Sequence, residues 1–360
     1  MDDLPFLDPA GPPLAEGEPF VVRVSEPGEV AAALPYLIGF RPRESVVLVA
    51  LGGASGSRLG LSVRADLPPP EARPAVAGDL VRRVVTGNPN SVLVFVVSEA
   101  ADPGGPEPDL PHRGLVREVV LALGDRGLGA RDVLLVRGGR WWSYDCPQPC
   151  CAPGAGTPLP GGVSELEAAS VLAGQVVADD RAELAARIEP DGRGSPAMRD
   201  ALERVGPGVA DAVEARGRDE VATESWHLLL AAVGRMRSRT AARLSDDEVA
   251  RLLWGLHDRW VRDRALRLAL GPDAAAAERL WTECTRRVGS PLTASTATLL
   301  AVSAWLRGDG AMAGIALERA LADDPTYRFA HLLAQGLAAC LPPAEIRALI
   351  VDTLDEPSLA

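Results

Sequence analysis

Two uninterrupted apolar runs, Val46 to Val49 and Val92 to Val97, constrain this chain most. Neighbouring strand residues point to opposite faces, so a continuous apolar run suits a strand whose sheet is covered on both sides. Around these runs the pattern alternates. Phe20 to Val24 reads as a short strand, and Glu29 to Ile38 as a helix stopped by Gly39 and Pro42. Ser45 to Leu51 and Leu59 to Asp66 read as strands joined across the Gly/Ser segment Gly52 to Gly60, a hairpin signal. A helix around Ala75 to Val85, a strand Ser91 to Val97, a helix Leu115 to Leu123 and a strand Asp132 to Val136 come next. Strands alternating with helices imply crossovers, which predicts a layered α/β fold with a mostly parallel sheet.

A chain of 360 residues exceeds one typical core of roughly 100–200 residues, so two domains are expected. Residues 1–19 read as a flexible arm, 20–145 as the α/β domain, 146–163 as a Cys/Pro/Gly boundary loop, and 164–360 as an all-helical domain. Ser164 with Glu167, and Ser245 with Glu248, have the capping-box spacing that satisfies free backbone donors at a helix start. Breaks are expected near Pro190, Gly206 to Gly208, Gly271-Pro272 and Pro291. Gly308, Ala313, Ala320 and Pro325 fall at the offsets of a tetratricopeptide unit, with a trailing helix Tyr327 to Leu337. A stable array needs about three repeats, so the match predicts a helical hairpin of that style.

Composition removes several functions. A formal charge of −12 and the lack of a basic stripe argue against nucleic acid as partner, since that affinity comes from clustered cations. All 37 basic residues are arginine. Without lysine there is no Schiff base to pyridoxal phosphate, no phosphate-loop or kinase-type lysine, and no lysine general base. No apolar run of about 18 residues and no basic-then-apolar start occur, which predicts a cytoplasmic chain with no membrane partner and reduced thiols. Of the five cysteines, Cys284 and Cys340 lie in apolar helical stretches and read as core.

The strongest local signal is Arg140 to Cys151. Arg140, Trp141, Trp142, Ser143, Tyr144, Asp145 and Cys146, with Cys150 and Cys151 close behind, cluster in a chain only 4% aromatic. The segment lies just past the last expected strand, and open α/β sheets bind ligands beyond the carboxyl ends of their strands. Aromatic faces beside an arginine and an aspartate suit a flat or charged small molecule; the alternative is that the tryptophans cement the sheet to the helical domain. Cys146, Cys150 and Cys151 read three ways: as ligands of a zinc ion with a fourth ligand such as His112, as a redox or nucleophilic thiol activated by Arg140, or as packing residues. Against zinc, adjacent Cys150 and Cys151 are poorly placed to point at one ion. Arg64 and Asp66 share a strand face and Ser45 begins another strand, which suggests an ion pair or a ligand clamp. His112, at a helix entry, is the histidine expected nearest the strand ends. No G-x-S-x-G elbow, H-E-x-x-H pair or G-x-G-x-x-G turn is present.

Several separated motifs, in order, resemble the actinobacterial domain-of-unknown-function family 4192 (DUF4192). They are Leu34-Pro35-Tyr36-Leu37-Ile38-Gly39-Phe40 before Ser45, Arg64-x-Asp66-Leu67-Pro68, Trp142-Ser143-Tyr144-x-Cys146 with Cys150-Cys151, the Gly156-Thr157-Pro158 close, and Asp324-Pro325. The resemblance spans most of the chain but implies no activity, cofactor or catalytic residue. Ala152 departs from it, standing where a proline is expected directly after the cysteine pair. Three functions are expected: a regulatory protein binding a small ligand at this loop and a protein partner through the helical domain; an enzyme using a cysteine or tyrosine of the loop; or a structural zinc site there.

Overall fold

The two apolar runs do form strands covered on both faces. In the computed structural model, which describes residues 26–104, 109–161, 176–190, 195–238, 243–289 and 292–355, they lie in β1 (Ser45–Gly52) and β3 (Ser91–Val97). Val47, Val49, Leu93 and Phe95 pack under α1 (Pro27–Ile38) through Val30, Ala31 and Leu34. Their neighbours Val46, Leu48, Val94 and Val96 pack on the opposite face against α2 (Arg73–Val84) and α3 (Arg113–Gly124), through Leu80, Val84, Leu115 and Val119. Period-two alternation thus divides one apolar run between two cores.

The sheet has six strands in the order β2-β1-β3-β4-β5-β6, completed by β2 (Arg58–Asp66), β4 (Ala130–Arg137), β5 (Arg140–Ser143) and β6 (Thr157–Pro158). It is mixed, which corrects the expectation of a mostly parallel sheet: only β3 and β4 pair parallel. The crossover through α2 does join two strands of the same direction, β2 and β3. Strand β1 lies between them, antiparallel to both. The short strands β5 and β6 extend the sheet antiparallel beyond β4.

The second half is helical: α4 (Arg181–Ala186), α5 (Pro196–Arg216), α6 (Arg218–Met236), α7 (Asp246–Gly255), α8 (Arg259–Ala265), α9 (Ala274–Arg287), α10 (Ala294–Leu306), α11 (Gly310–Asp323), α12 (Arg328–Ala338) and α13 (Pro343–Asp355). At its centre α10 is buried at every position from Ala294 to Trp305, as a helix apolar all round must be. Its hydroxyls are satisfied locally, Thr298 donating to Ala294 O and Ser303 to Leu299 O. Asp323 at the end of α11 accepts the backbone N–H groups of Thr293 and Ala294, both at 2.9 Å, and so satisfies the start of α10.

Ser245 and Glu248 form the expected capping box of α7, whereas Ser164 and Glu167 lie outside the described residues, as do 1–25. No break occurs at Gly206 to Gly208. Helix α5 runs through Pro207, with Gly206 seated against Trp254 so closely that a Cβ would stand 2.7 Å from the ring. Cys284 is buried, but Cys340 is half-buried in the turn after α12. Among the described residues no helix is long and apolar enough to cross a membrane.

The two halves are continuous. Phe40, just past α1, is 5% exposed and belongs to the helical core. Beside it, Ala178 donates to Gly39 O at 3.1 Å and accepts from Arg41 N–H at 3.0 Å. A second contact joins Thr86 Oγ1, after α2, to Cys340 O at 3.4 Å.

Candidate functional site

Gly138 and Gly139, at φ 54° and 71°, turn the chain between β4 and β5. The aromatic segment beyond this turn is therefore a strand, and its adjacent residues diverge. Trp141 packs on the α1 face, where a Cβ on Gly28 would stand 2.7 Å from its Nε1. Trp142 and Tyr144 are buried at 3% and 5% exposure on the opposite, α2/α3 face. The aromatic group read from the sequence is thus divided between two cores.

Its polar members are engaged in holding the loop. Tyr144 donates its hydroxyl to Pro111 O at 2.6 Å, and burial pushes the phenol well above its usual range. Arg140 donates to Gly156 O at 2.6 Å and Ala155 O at 3.3 Å, closing the loop on β5. Trp142 Nε1 donates to Ala152 O at 3.3 Å, and Ser143 Oγ accepts from Asp145 N–H at 3.3 Å. Asp145 itself is exposed. Arg137 lies over the Trp142 ring, 4.7 Å from its centroid, and pairs with Asp102 at 2.8 Å. Asp102 also accepts from Gly154 N–H at 2.9 Å, tying the loop to the segment after β3.

The thiols behave differently, because the loop brings them together. A single 3₁₀ turn, Pro149–Cys151, places Cys150 Sγ 3.9 Å from Cys151 Sγ, and the three sulfurs of Cys146, Cys150 and Cys151 lie within 4.8 Å of one another. Adjacency does not splay the last two apart, contrary to the expectation from their spacing. Cys151 accepts from Ser143 N–H at 3.3 Å. The Gln148 N–H beside Cys146 lowers its pKa, while burial pushes Cys151 up to about 11. His112 is not among the grouped donors.

A second polar cluster forms where β2, β3 and β4 end and β1 begins. Here Ser45, Arg64 and Asp66 do converge: Ser45 Oγ accepts from Arg64 Nε at 2.9 Å, and Arg64 pairs with Asp66 at 2.5 Å. Arg64 also lies over Phe40, 5.7 Å from the ring centroid. Beside them is a chain that sequence reasoning missed. Ser98 Oγ donates to Glu44 Oε2 at 2.8 Å and contacts His112 Nε2 at 2.9 Å. Both Glu44 and His112 have positive φ, 39° and 62°. Strain of this kind persists where surrounding contacts fix it. Ser98 is 1% exposed, so its hydroxyl serves to join Glu44 and His112 rather than to meet a substrate.

The comparisons agree with the sequence motifs. No curated protein and no solved structure matches the chain. Residues 27–344 match a family described as a domain of unknown function, DUF4192, and over nearly its whole length the chain therefore belongs to the DUF4192 family.

Proposed function

We propose that this protein binds a thiophilic metal ion, zinc in the first instance, through Cys146, Cys150 and Cys151. One observation carries the reading. Three sulfurs lie within 4.8 Å of one another, and the adjacent pair is at 3.9 Å. Ligands about 2.3 Å from a tetrahedral ion stand roughly 3.8 Å apart, so the thiols are near ligand spacing. The Gln148 N–H beside Cys146 favours thiolate at that sulfur, while at Cys151 the Ser143 N–H only partly offsets the burial that raises the thiol. Among the described residues no fourth His, Cys, Asp or Glu joins the group. A tetrahedral ion would take its fourth ligand from outside this group.

The reading favours a binding protein over an enzyme built on this loop, because Tyr144 is sealed in a core and Arg140 is committed to backbone carbonyls. The helical half supplies a partner surface. Its α10–α11 hairpin buries Ala313 and Ala320 in the helical core, which supports the tetratricopeptide-style reading.

Metal analysis of protein purified without chelators tests the proposal. About one equivalent of zinc per chain is expected, lost in Cys146→Ser and Cys151→Ser. Cobalt substitution adds a sulfur-to-metal charge-transfer band that the same variants remove. A folded protein that takes up neither ion ends the proposal.

A further inference from the structure

Strand β2 ends the sheet, and β1 is its sole strand partner among the described residues. The outer edge of such a strand presents backbone N–H and C=O groups with no ladder to join. Here that edge faces a cleft of about 1100 Å³ between the sheet and the helical half. Gly60, Leu61, Ser62, Val63 and Arg64 all line it. Successive strand side chains point to opposite faces, so five consecutive residues border one cleft only if it runs along the strand's edge.

The helical half lines it with the half-buried Leu337 and Leu341 over a buried Trp305, and with charged side chains that include Arg181, Arg307 and Glu318. Polar groups around it are already committed. Trp305 Nε1 donates to Leu341 O at 3.2 Å, Arg181 pairs with Glu318 at 2.6 Å, and Arg307 pairs with Glu278 at 2.8 Å. Contacts between the halves bound the cleft, the Phe40–Ala178 bridge at one place and Thr86 with Cys340 at another. With these charges paired among themselves, the strand's own backbone is left as the recognition element. A row of N–H and C=O groups repeating at about 3.3 Å per residue is complemented by another extended backbone.

We propose that this cleft takes an extended segment of a partner protein, added to the sheet against β2 with its apolar side chains toward Leu337 and Leu341. The chain shows the same mode on a small scale. Ala178, whose neighbours Val176 and Val177 line the cleft, already pairs with Gly39 and Arg41 in extended fashion. The site shares no residue with the thiol loop, so the two proposals stand or fall separately.

Hydrogen exchange on the full chain is the first test. Between Gly60 and Arg64, amides bonded to β1 are expected to exchange slowly and the alternate, outward ones rapidly. Protection of every amide in this stretch would mean the edge is already covered, and the proposal would be overturned.

Selection of random twelve-residue peptides displayed on phage against the full chain is the second. The selected peptides are expected to alternate apolar residues, to protect the outward amides of Gly60 to Arg64, and to bind Leu341→Arg at least tenfold more weakly. Gly314→Leu, where a Cβ meets nothing nearer than Leu337 Cδ2 at 3.7 Å, fills the cleft without straining the helix and provides a second variant should the first misfold. Failure to select any peptide, or selection only of peptides that both variants bind as well as the parent, overturns the proposal.

Discussion

His112 holds a left-handed backbone, φ 62°, to bring its imidazole beside Ser98. Burial lowers its pKa from the ordinary value of 6.5; the Glu44 carboxylate opposes this and Arg73 reinforces it. The folded state thus favours the neutral ring, and between the folded and unfolded pKa values the unfolded chain binds more protons. Stability from this group is complete above about pH 6.5, falls as pH drops below it, and levels off below the folded value. Urea midpoints at pH 7.5, 6.5 and 5.5 should show that decline, and His112→Asn should flatten it. Equal slopes in both proteins would remove His112 as the cause. At Gly156 the constraint is steric. With φ 79°, and with an added Cβ only 2.4 Å from the buried Trp142 ring, Gly156→Ala combines a left-handed backbone with a clash. Costs of roughly 1–2 kcal/mol for the backbone and about 1–3 kcal/mol for overpacking predict a loss of about 2–5 kcal/mol in urea unfolding. A loss below about 1 kcal/mol would show that the loop yields freely.

At the scale of elements, legibility tracks the range of the interaction. The runs that form β1 and β3 are readable because alternation and apolarity act between neighbours, as is the α7 cap, where Ser245 and Glu248 are three residues apart. Sheet order is not readable. The α2 crossover gives β2 and β3 a common direction, but nothing local records that β1 inserts between them. The tryptophan segment is legible in part: the Gly138-Gly139 pair is a hairpin signal, and reading β5 from it sends Trp141 and Trp142 to opposite faces. The Glu44–Ser98–His112 chain has no such signal, because its members are 54 and 14 residues apart and Ser98 sits in no motif. Helix α5 passes through Gly206-Pro207-Gly208 because Trp254 fills the notch at Gly206 and donates to Leu202 O at 3.2 Å, a contact 52 residues away in sequence.

For the whole molecule the deciding residue is Phe40. It leaves the α/β half at the end of α1, yet its ring lies in the helical core, with the Arg64 guanidinium 5.7 Å from its centroid. The sheet half and the helical half therefore share an apolar anchor next to the Gly39–Ala178 backbone bridge, and unfolding one exposes surface of the other. Fluorescence is expected to follow Trp141 and Trp142 in the sheet as well as the tryptophans of the helices, while far-UV circular dichroism weights the helices. In the parent chain the two urea transitions should coincide. Phe40→Ala removes a large buried ring, at a typical cost of about 3–5 kcal/mol, and removes it from the junction rather than from either core alone. The coupling should fall more than the stability of either half, so the two transitions should separate. Leu280→Ala, wholly inside the helical core, should lower the midpoint while keeping them together. If Phe40→Ala shifts both transitions equally and leaves them superimposed, the halves are held together by the remaining contacts and Phe40 is an ordinary core residue.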